Sequence, residues 1–76
     1  MNLLDPTILV LDDVTLGQRV RVARILRRLR QVDLAAVAGV QQSAVSSLER
    51  DAPVFPAARR RVLLALDLFD RHRDTS

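Results

Sequence analysis

Residues 31–50 read QVDLAAVAGVQQSAVSSLER, and this stretch decides the fold. Apolar residues at helical spacing predict one helix over residues 31–38 and a second helix over residues 42–49. Gly39 follows the first of these helices directly, where a left-handed residue ends a helix at little steric cost. Two short helices around a tight glycine corner are the layout of a helix-turn-helix.

The steric requirements of a helix-turn-helix are met at matching intervals. Ala35 is small enough for the point where the two helices cross, and Gly39 supplies the sharp turn. Val45 is the branched apolar anchor of the second helix, and Leu48 faces the core beside it. The other side of that helix is polar and carries Gln42, Ser43, Ser46 and Ser47. A helix with such a polar side is suited to reading base edges in the major groove of DNA.

A further helix is predicted before this motif. Thr15 begins it, and Gln18 stands three residues later, which is the spacing of a capping box. The inner stripe of this helix is predicted to consist of Leu16, Val20, Ala23 and the Leu26/Arg27 turn, with Leu29 at its end. The opposite face is arginine.

A last helix is predicted over residues 57–71, after a loop over residues 51–56 whose two prolines forbid a helix interior. One apolar stripe of this helix faces the core and consists of Ala58, Val62, Ala65, Leu66 and Phe69. Leu64 and Leu68 form a second apolar stripe on another side. A helix with two apolar faces needs two partners, so this second stripe is predicted to contact the same helix of a second subunit.

Residues 1–14 form an apolar N-terminal arm. Thr7 to Leu11 is an uninterrupted, β-branched run that favours a short strand, whereas Asp5 and Pro6 could equally begin a helix. This apolar surface is predicted to be covered by the domain itself or by a second subunit, with Ile8 and Val10 at a dimer interface. Residues 15–72 are predicted to form the domain and residues 73–76 a frayed tail. The predicted fold is therefore all-α: a compact bundle of four to five short helices with an extended or strand-like arm.

Composition excludes several classes of function. The chain has 76 residues, enough for one domain, and its lack of cysteine excludes disulfides and thiolate metal sites. No apolar run approaches the roughly 20 residues of a membrane span, and the N-terminus lacks the basic region of a secretory signal. We therefore expect a cytoplasmic protein without a membrane partner.

Catalysis is not expected either. The one histidine, His72, has no nucleophile near it in the sequence, and Asp12 and Asp13 are adjacent and so point apart. There is no glycine-rich phosphate loop. We predict no enzyme activity, no metal and no cofactor.

All 12 basic residues are arginine, on a chain of net charge +3. Arginine forks match phosphate oxygens and guanine edges better than an ammonium group does. Arg30 and Arg50 flank the helix-turn-helix, and Arg59, Arg60 and Arg61 open the last helix. These arginines are predicted to contact the phosphates of DNA.

Three segments resemble one known family. LGQRVRVAR at residues 16–24, RQVDLAAVAGV at residues 30–40 and SAVSSLER at residues 43–50 are similar to the lambda-type phage repressor and Cro family, also called the Xre family. The resemblance covers about residues 16–66. It implies a five-helix, all-α domain that binds operator DNA as a dimer.

The resemblance also implies roles for single residues. Gln31 matches the glutamine that holds a DNA phosphate at the start of the helix predicted over residues 31–38 (helix 2), and Gln42 matches the first base-reading position. Arg24 and Glu49 match a pair that joins the helix that begins at Thr15 (helix 1) to the helix predicted over residues 42–49 (helix 3). The remaining base-reading positions correspond to Ser43, Ser46 and Ser47.

The chain departs from the family at four positions. Arg28 and Asp51 stand where the family has glycine, and Arg30 and Gln41 stand where it has a serine or threonine cap. Because a left-handed arginine costs about 1–2 kcal/mol, helix 1 is expected to end differently here.

These observations together predict a homodimeric, sequence-specific transcriptional regulator that binds a double-stranded DNA operator, and specifically a repressor. Two alternatives use the same kind of domain. One is an antitoxin that binds a toxin or another regulatory protein as well as its own operator. The other is a restriction-modification controller protein.

Overall fold

The computed structural model describes residues 14–75, with side chains for residues 14–68. Four α-helices and no strand lie within that range, which confirms the all-α fold. They are α1 (Leu16–Leu26), α2 (Gln31–Ala38), α3 (Gln42–Glu49) and α4 (Pro56–Thr75). The predictions for the N-terminal arm, including Ile8 and Val10, lie outside the described residues. None of the described helices has the length and apolar character that a membrane span requires.

The first helix begins at a reciprocal cap. The hydroxyl of Thr15 accepts a hydrogen bond from the backbone N–H of Gln18 at 3.1 Å, and the Gln18 side-chain oxygen accepts from the Thr15 N–H at 3.0 Å. Two backbone donors that have no partner within the helix are satisfied in this way. The predicted capping box is confirmed.

The inner face of α1 differs from the prediction. Gly17 and Val20 are buried, whereas Leu16 and Leu26 are exposed. The opposite face is not purely arginine, because Val22 also lies exposed there. Gly17 lies on the side of α1 that contacts the end of α3, because a Cβ atom there would meet the carbonyl oxygens of Leu48 and Glu49.

The corner between α2 and α3 forms at Gly39, as the sequence predicts. Its backbone is left-handed, with φ 74° and ψ 34°. The N–H groups of Gly39 and Val40 donate to the carbonyl of Ala35 at 2.9 and 3.0 Å. The Gly39 N–H also lies 3.3 Å from the carbonyl oxygen of Ala36, so the turn supplies donors to two carbonyl groups in the last turn of α2.

Two other positions are left-handed without being glycine. Arg28 has φ 58° and Asp51 has φ 59°, at the ends of α1 and α3. The expectation that α1 ends differently because Arg28 replaces glycine is therefore wrong. The N–H of Leu29 still donates to the carbonyl of Arg24 at 3.1 Å, so the chain keeps this helix end despite the steric cost of arginine there.

The core lies where the four helices meet. Its members are fully apolar and come from every helix: Val20, Leu34, Ala35, Val45, Leu48, Val62, Ala65 and Leu66. The last helix packs mainly against α2 and α3, and α1 packs mainly against α3. Helix α4 begins at Pro56, whose ring suits the first turn, and it extends to Thr75. The predicted end at residue 71 was too early, since no proline or glycine follows to stop the helix.

We predict that Gly17→Ala lowers the free energy of unfolding by about 1–3 kcal/mol, measured by urea denaturation. A Cβ atom at residue 17 would lie 2.4 Å from the carbonyl oxygen of Leu48 and 2.9 Å from that of Glu49. Both atoms are backbone, so the helices themselves must move apart. A stabilising effect, which the higher helix propensity of alanine alone would give, would contradict this close approach.

Gly39 provides the matched control. A Cβ atom there has no neighbour within 4 Å, but φ is +74°. Gly39→Ala should therefore cost about 1–2 kcal/mol through backbone strain alone. Because asparagine tolerates left-handed backbone, Gly39→Asn should recover stability relative to Gly39→Ala, whereas Gly17→Asn should be no better than Gly17→Ala.

Candidate nucleic-acid interface

One side of α3 is anchored in the core and the other faces solvent. Val45 and Leu48 are buried. Gln42 and Ser43 are exposed, and two further hydroxyl side chains on the outward side are half-buried, namely Ser46 and Ser47. The four residues that the sequence assigns to base reading thus share the outward side of one short helix.

The half-buried hydroxyls have different surroundings. The guanidinium of Arg50 reaches back along α3 and donates a hydrogen bond to the hydroxyl of Ser46. Ser47 instead borders a shallow depression between α3 and the start of α4, where Phe55 is 84% exposed. Arg50 therefore orients the hydroxyl of Ser46 and places a positive charge directly beside it.

A charge pair holds α3 to α1. The Arg24 Nε lies 2.6 Å from Glu49 Oε2, and Nη2 donates to Oε1 at 3.1 Å. The two side chains are only 13% and 5% exposed. A third nitrogen of Arg24, Nη1, donates to the carbonyl of Leu29 at 2.8 Å. This arginine therefore connects the end of α3 to α1 and to the loop before α2.

Glu49 also holds Gln31, the first residue of α2. The Gln31 Nε2 donates to Glu49 Oε1 at 3.1 Å. An amide nitrogen has two hydrogens, so one remains for another acceptor. Nearby backbone N–H groups in the first turn of α2 have no acceptor within the helix. The sequence assigned Gln31 to a phosphate but gave no sign that its amide is oriented by Glu49.

The carboxylate of Glu49 is held in its charged form. Burial acts to raise its pKa, but hydrogen bonds from Arg24 and Gln31 and attraction to Arg24 outweigh burial. The pKa of Glu49 is consequently lower than its ordinary value. The junction of three helices thus keeps a negative charge that is fully compensated within the protein.

Arg30 is engaged by its own helix. Its Nε and Nη2 each donate to the Asp33 carboxylate at 3.0 Å, and that carboxylate also accepts from the Arg30 N–H at 2.9 Å. These hydrogen bonds, the side-chain bond foremost, lower the pKa of Asp33. Asp33 therefore accepts the backbone N–H of the N-cap residue Arg30, and it offsets the charge of the predicted phosphate contact at Arg30.

The arginines of α4 divide between two surfaces. Arg61 extends toward the corner, where its Nη1 lies 3.5 Å from the carbonyl oxygen of Gly39. Arg59 and Arg60 instead border a shallow depression with Leu63 and Asp67. The sequence predicts phosphate contacts for Arg59, Arg60 and Arg61, and of these three Arg61 contacts the corner of the helix-turn-helix.

Two important contacts were not predicted from the sequence. The Asp51 carboxylate accepts hydrogen bonds from the Thr15 hydroxyl at 2.6 Å and from the Gly17 N–H at 3.0 Å. It ties the turn after α3 to the first turn of α1. The two departures from the family pattern near α3 and α2, Asp51 and Arg30, thus both take part in new capping interactions.

Comparison with protein-family models, curated proteins and solved structures finds no significant match to this chain. In the described part of the chain, no cluster of His, Cys, Asp and Glu side chains could hold a metal ion. The assignment of function therefore depends on the geometry of the helix-turn-helix and on the motifs within it.

We predict that Glu49→Gln lowers the free energy of unfolding by about 2 kcal/mol near pH 7, because hydrogen bonds to a charged group are lost. Since the folded pKa is lowered, the wild-type advantage is complete above the unfolded value of about 4.3. It should disappear as the pH falls through the folded pKa and the carboxylate becomes protonated. Urea denaturation of both proteins from pH 7 to pH 3 measures this difference.

The double variant Arg24→Gln, Glu49→Gln serves as the control for this pH series. Adding Glu49→Gln to Arg24→Gln should remove much less stability than it does in the wild-type background. A wild-type advantage over Glu49→Gln that stayed constant down to pH 3 would contradict a charged, paired Glu49.

Proposed function

We propose that this chain is a sequence-specific regulator of transcription that binds double-stranded DNA as a homodimer and acts as a repressor. The observation that carries the proposal is the placement of α3. Its apolar side is buried through Val45 and Leu48, while its polar side from Gln42 to Ser47 faces outward. We also assign the chain to the Xre type on the strength of the motifs in residues 16–50.

The dimensions of α3 suit a DNA groove. An α-helix with its side chains is about 10–12 Å wide, and the major groove of B-DNA is about 12 Å wide. Gln42 stands in the first turn of α3 and is exposed, so its amide is free to approach a base edge. An amide can bond adenine at N6 and N7 together, whereas a single serine hydroxyl does not define one base.

Contacts to the DNA backbone come from the rim of this helix. Gln31 at the start of α2, Arg50 at the end of α3 and Arg61 beside the corner surround the outward side. Two phosphates neutralised per subunit, by Arg50 and Arg61, give a slope of about −1.8 in log affinity against log salt. The net charge of only +3 gives a modest non-specific attraction, so base contacts and dimer symmetry must supply much of the affinity.

Dimerisation is assigned to the outer side of α4. Leu64 and Leu68 are 54% and 57% exposed, one helical turn apart. The core stripe of the same helix, Val62, Ala65 and Leu66, points inward. Two copies that pair through this outer side bury an apolar stripe on each helix. Symmetric pairing then presents two recognition helices to one operator.

Gln42→Ala tests the reading role. Selection of bound sequences from random duplex DNA at fixed salt provides the operator. On that operator we expect the variant to lose about 1–3 kcal/mol of binding free energy and to relax one base preference, because the amide pair is removed. Equilibrium titration against the operator and single-base variants measures both effects.

Gln41→Ala is the matched control, because Gln41 precedes α3 and its side chain forms no capping hydrogen bond. This variant should keep the base preference. If Gln42→Ala weakened binding equally on all sequences, Gln42 would be a backbone contact. A selection that yields no preferred sequence would refute the proposed function.

A double substitution, Leu64→Asp with Leu68→Asp, tests the dimer. Both side chains are exposed in the single subunit, so the fold should persist while an apolar interface acquires four carboxylates. We expect sedimentation equilibrium to show a monomer in place of a dimer. Val37→Asp, at an equally exposed apolar site on α2, should stay dimeric. An unchanged dimer in the double variant would exclude α4 as the interface.

A further inference from the structure

The outer face of α1 is apolar and uncovered by any part of the described chain. Val22, Ile25 and Leu26 form this face, and they are 53%, 51% and 69% exposed. They lie three and four residues apart, opposite the buried side at Gly17 and Val20. An apolar cluster of this kind on a small domain marks a surface that another segment covers.

Positive charge borders this outer face. Arg19 and Arg21 are exposed within α1, and Arg28 is exposed just after it. No acidic residue occurs between Leu16 and Leu26. The surface is therefore an apolar strip between cations, and the segment that fits it is apolar and acidic.

Residues 1–13 have that chemistry. They read MNLLDPTILVLDD, with six leucine, isoleucine and valine residues, three aspartates and no basic side chain. The remainder of the chain carries all 12 arginines. Apolar content and charge are both complementary to the outer face of α1.

We infer that residues 1–13 dock on the outer face of α1 in the same chain. Thirteen residues can reach about 43 Å, whereas the 11 residues of α1 span about 16 Å, so the segment can turn back and cover the helix. The segment joins α1 directly through Val14 and Thr15. This short connection favours a contact within one chain over contact with a second copy, because the entropy lost in closing the loop is small.

The other exposed apolar surface fits this segment less well. The outer side of α4 carries both charges beside Leu63 and Leu64, namely Arg59, Arg60 and Asp67, whereas α1 has no acidic residue between Leu16 and Leu26. The outer side of α4 also lies far from residue 13 in the sequence. Docking on α1 leaves the outward side of α3 open, since the inner side of α1 is the side that contacts α3.

Because the chain contains no cysteine, a single introduced cysteine carries a spin label at one defined position. A nitroxide on Thr7→Cys in the full chain should broaden amide NMR signals of residues 21–26 severalfold more than those of Leu64 and Leu68. Broadening spread evenly over the protein, or centred on α4, overturns the inference. Mixing spin-labelled chains with isotope-enriched chains that carry no spin label distinguishes docking within one chain from docking on a second chain. Broadening of α1 in that mixture would place the segment on a second copy and also overturns the inference.

Ile25→Asp provides the disrupting variant, because Ile25 is exposed and its substitution leaves the core intact. In this background the broadening of α1 should fall at least about threefold, while circular dichroism shows the same helix content. Val37→Asp, an equal change at an equally exposed site on α2, should leave the broadening unchanged. A profile that Ile25→Asp does not alter refutes docking on this face.

Discussion

The structure depends on how closely the first turn of α1 approaches the end of α3. Only a glycine fits at residue 17, where a Cβ atom would lie 2.4 Å from the carbonyl oxygen of Leu48. Asp51 closes the same junction by accepting hydrogen bonds from the Thr15 hydroxyl and the Gly17 N–H. One backbone contact and one carboxylate thus fix the start of α1 against the turn that ends α3.

This junction also determines what α3 can present to a partner. About two turns of α1 further on, Arg24 pairs with Glu49, and Glu49 holds the Gln31 amide. The two ends of the helix-turn-helix are therefore tied to the same carboxylate. A helix of eight residues is unstable alone, so its orientation must come from such tertiary contacts. Rigid attachment on one side is what allows the opposite side to consist of small hydroxyls and one exposed amide.

Much of the fold could be predicted because its signals are local. The capping box at Thr15 and the glycine corner at Gly39 are each determined by a few adjacent residues, and both occur as predicted. The face of α1 could not be predicted in the same way. A glycine inside a helix reads as a weak point, and only the position of α3 shows that Gly17 is a contact surface. Because the sequence does not show this contact at Gly17, the prediction placed Leu16 and Leu26 on the buried side of α1, where the structure has Gly17 and Val20.

For the candidate site, the sequence identified the polar side of α3 but not which of the surrounding arginines already have partners within the protein. Charges close in sequence neutralise one another, so Arg30 is already occupied by Asp33. Among three consecutive arginines, only the packing of α4 shows that Arg61 contacts the corner. Side-chain direction along a helix follows from its packing, which no short motif encodes. The same packing turns the apolar outer sides of α1 and α4 away from α3. Each can therefore be covered by another segment or subunit without obstructing the helix that would enter DNA.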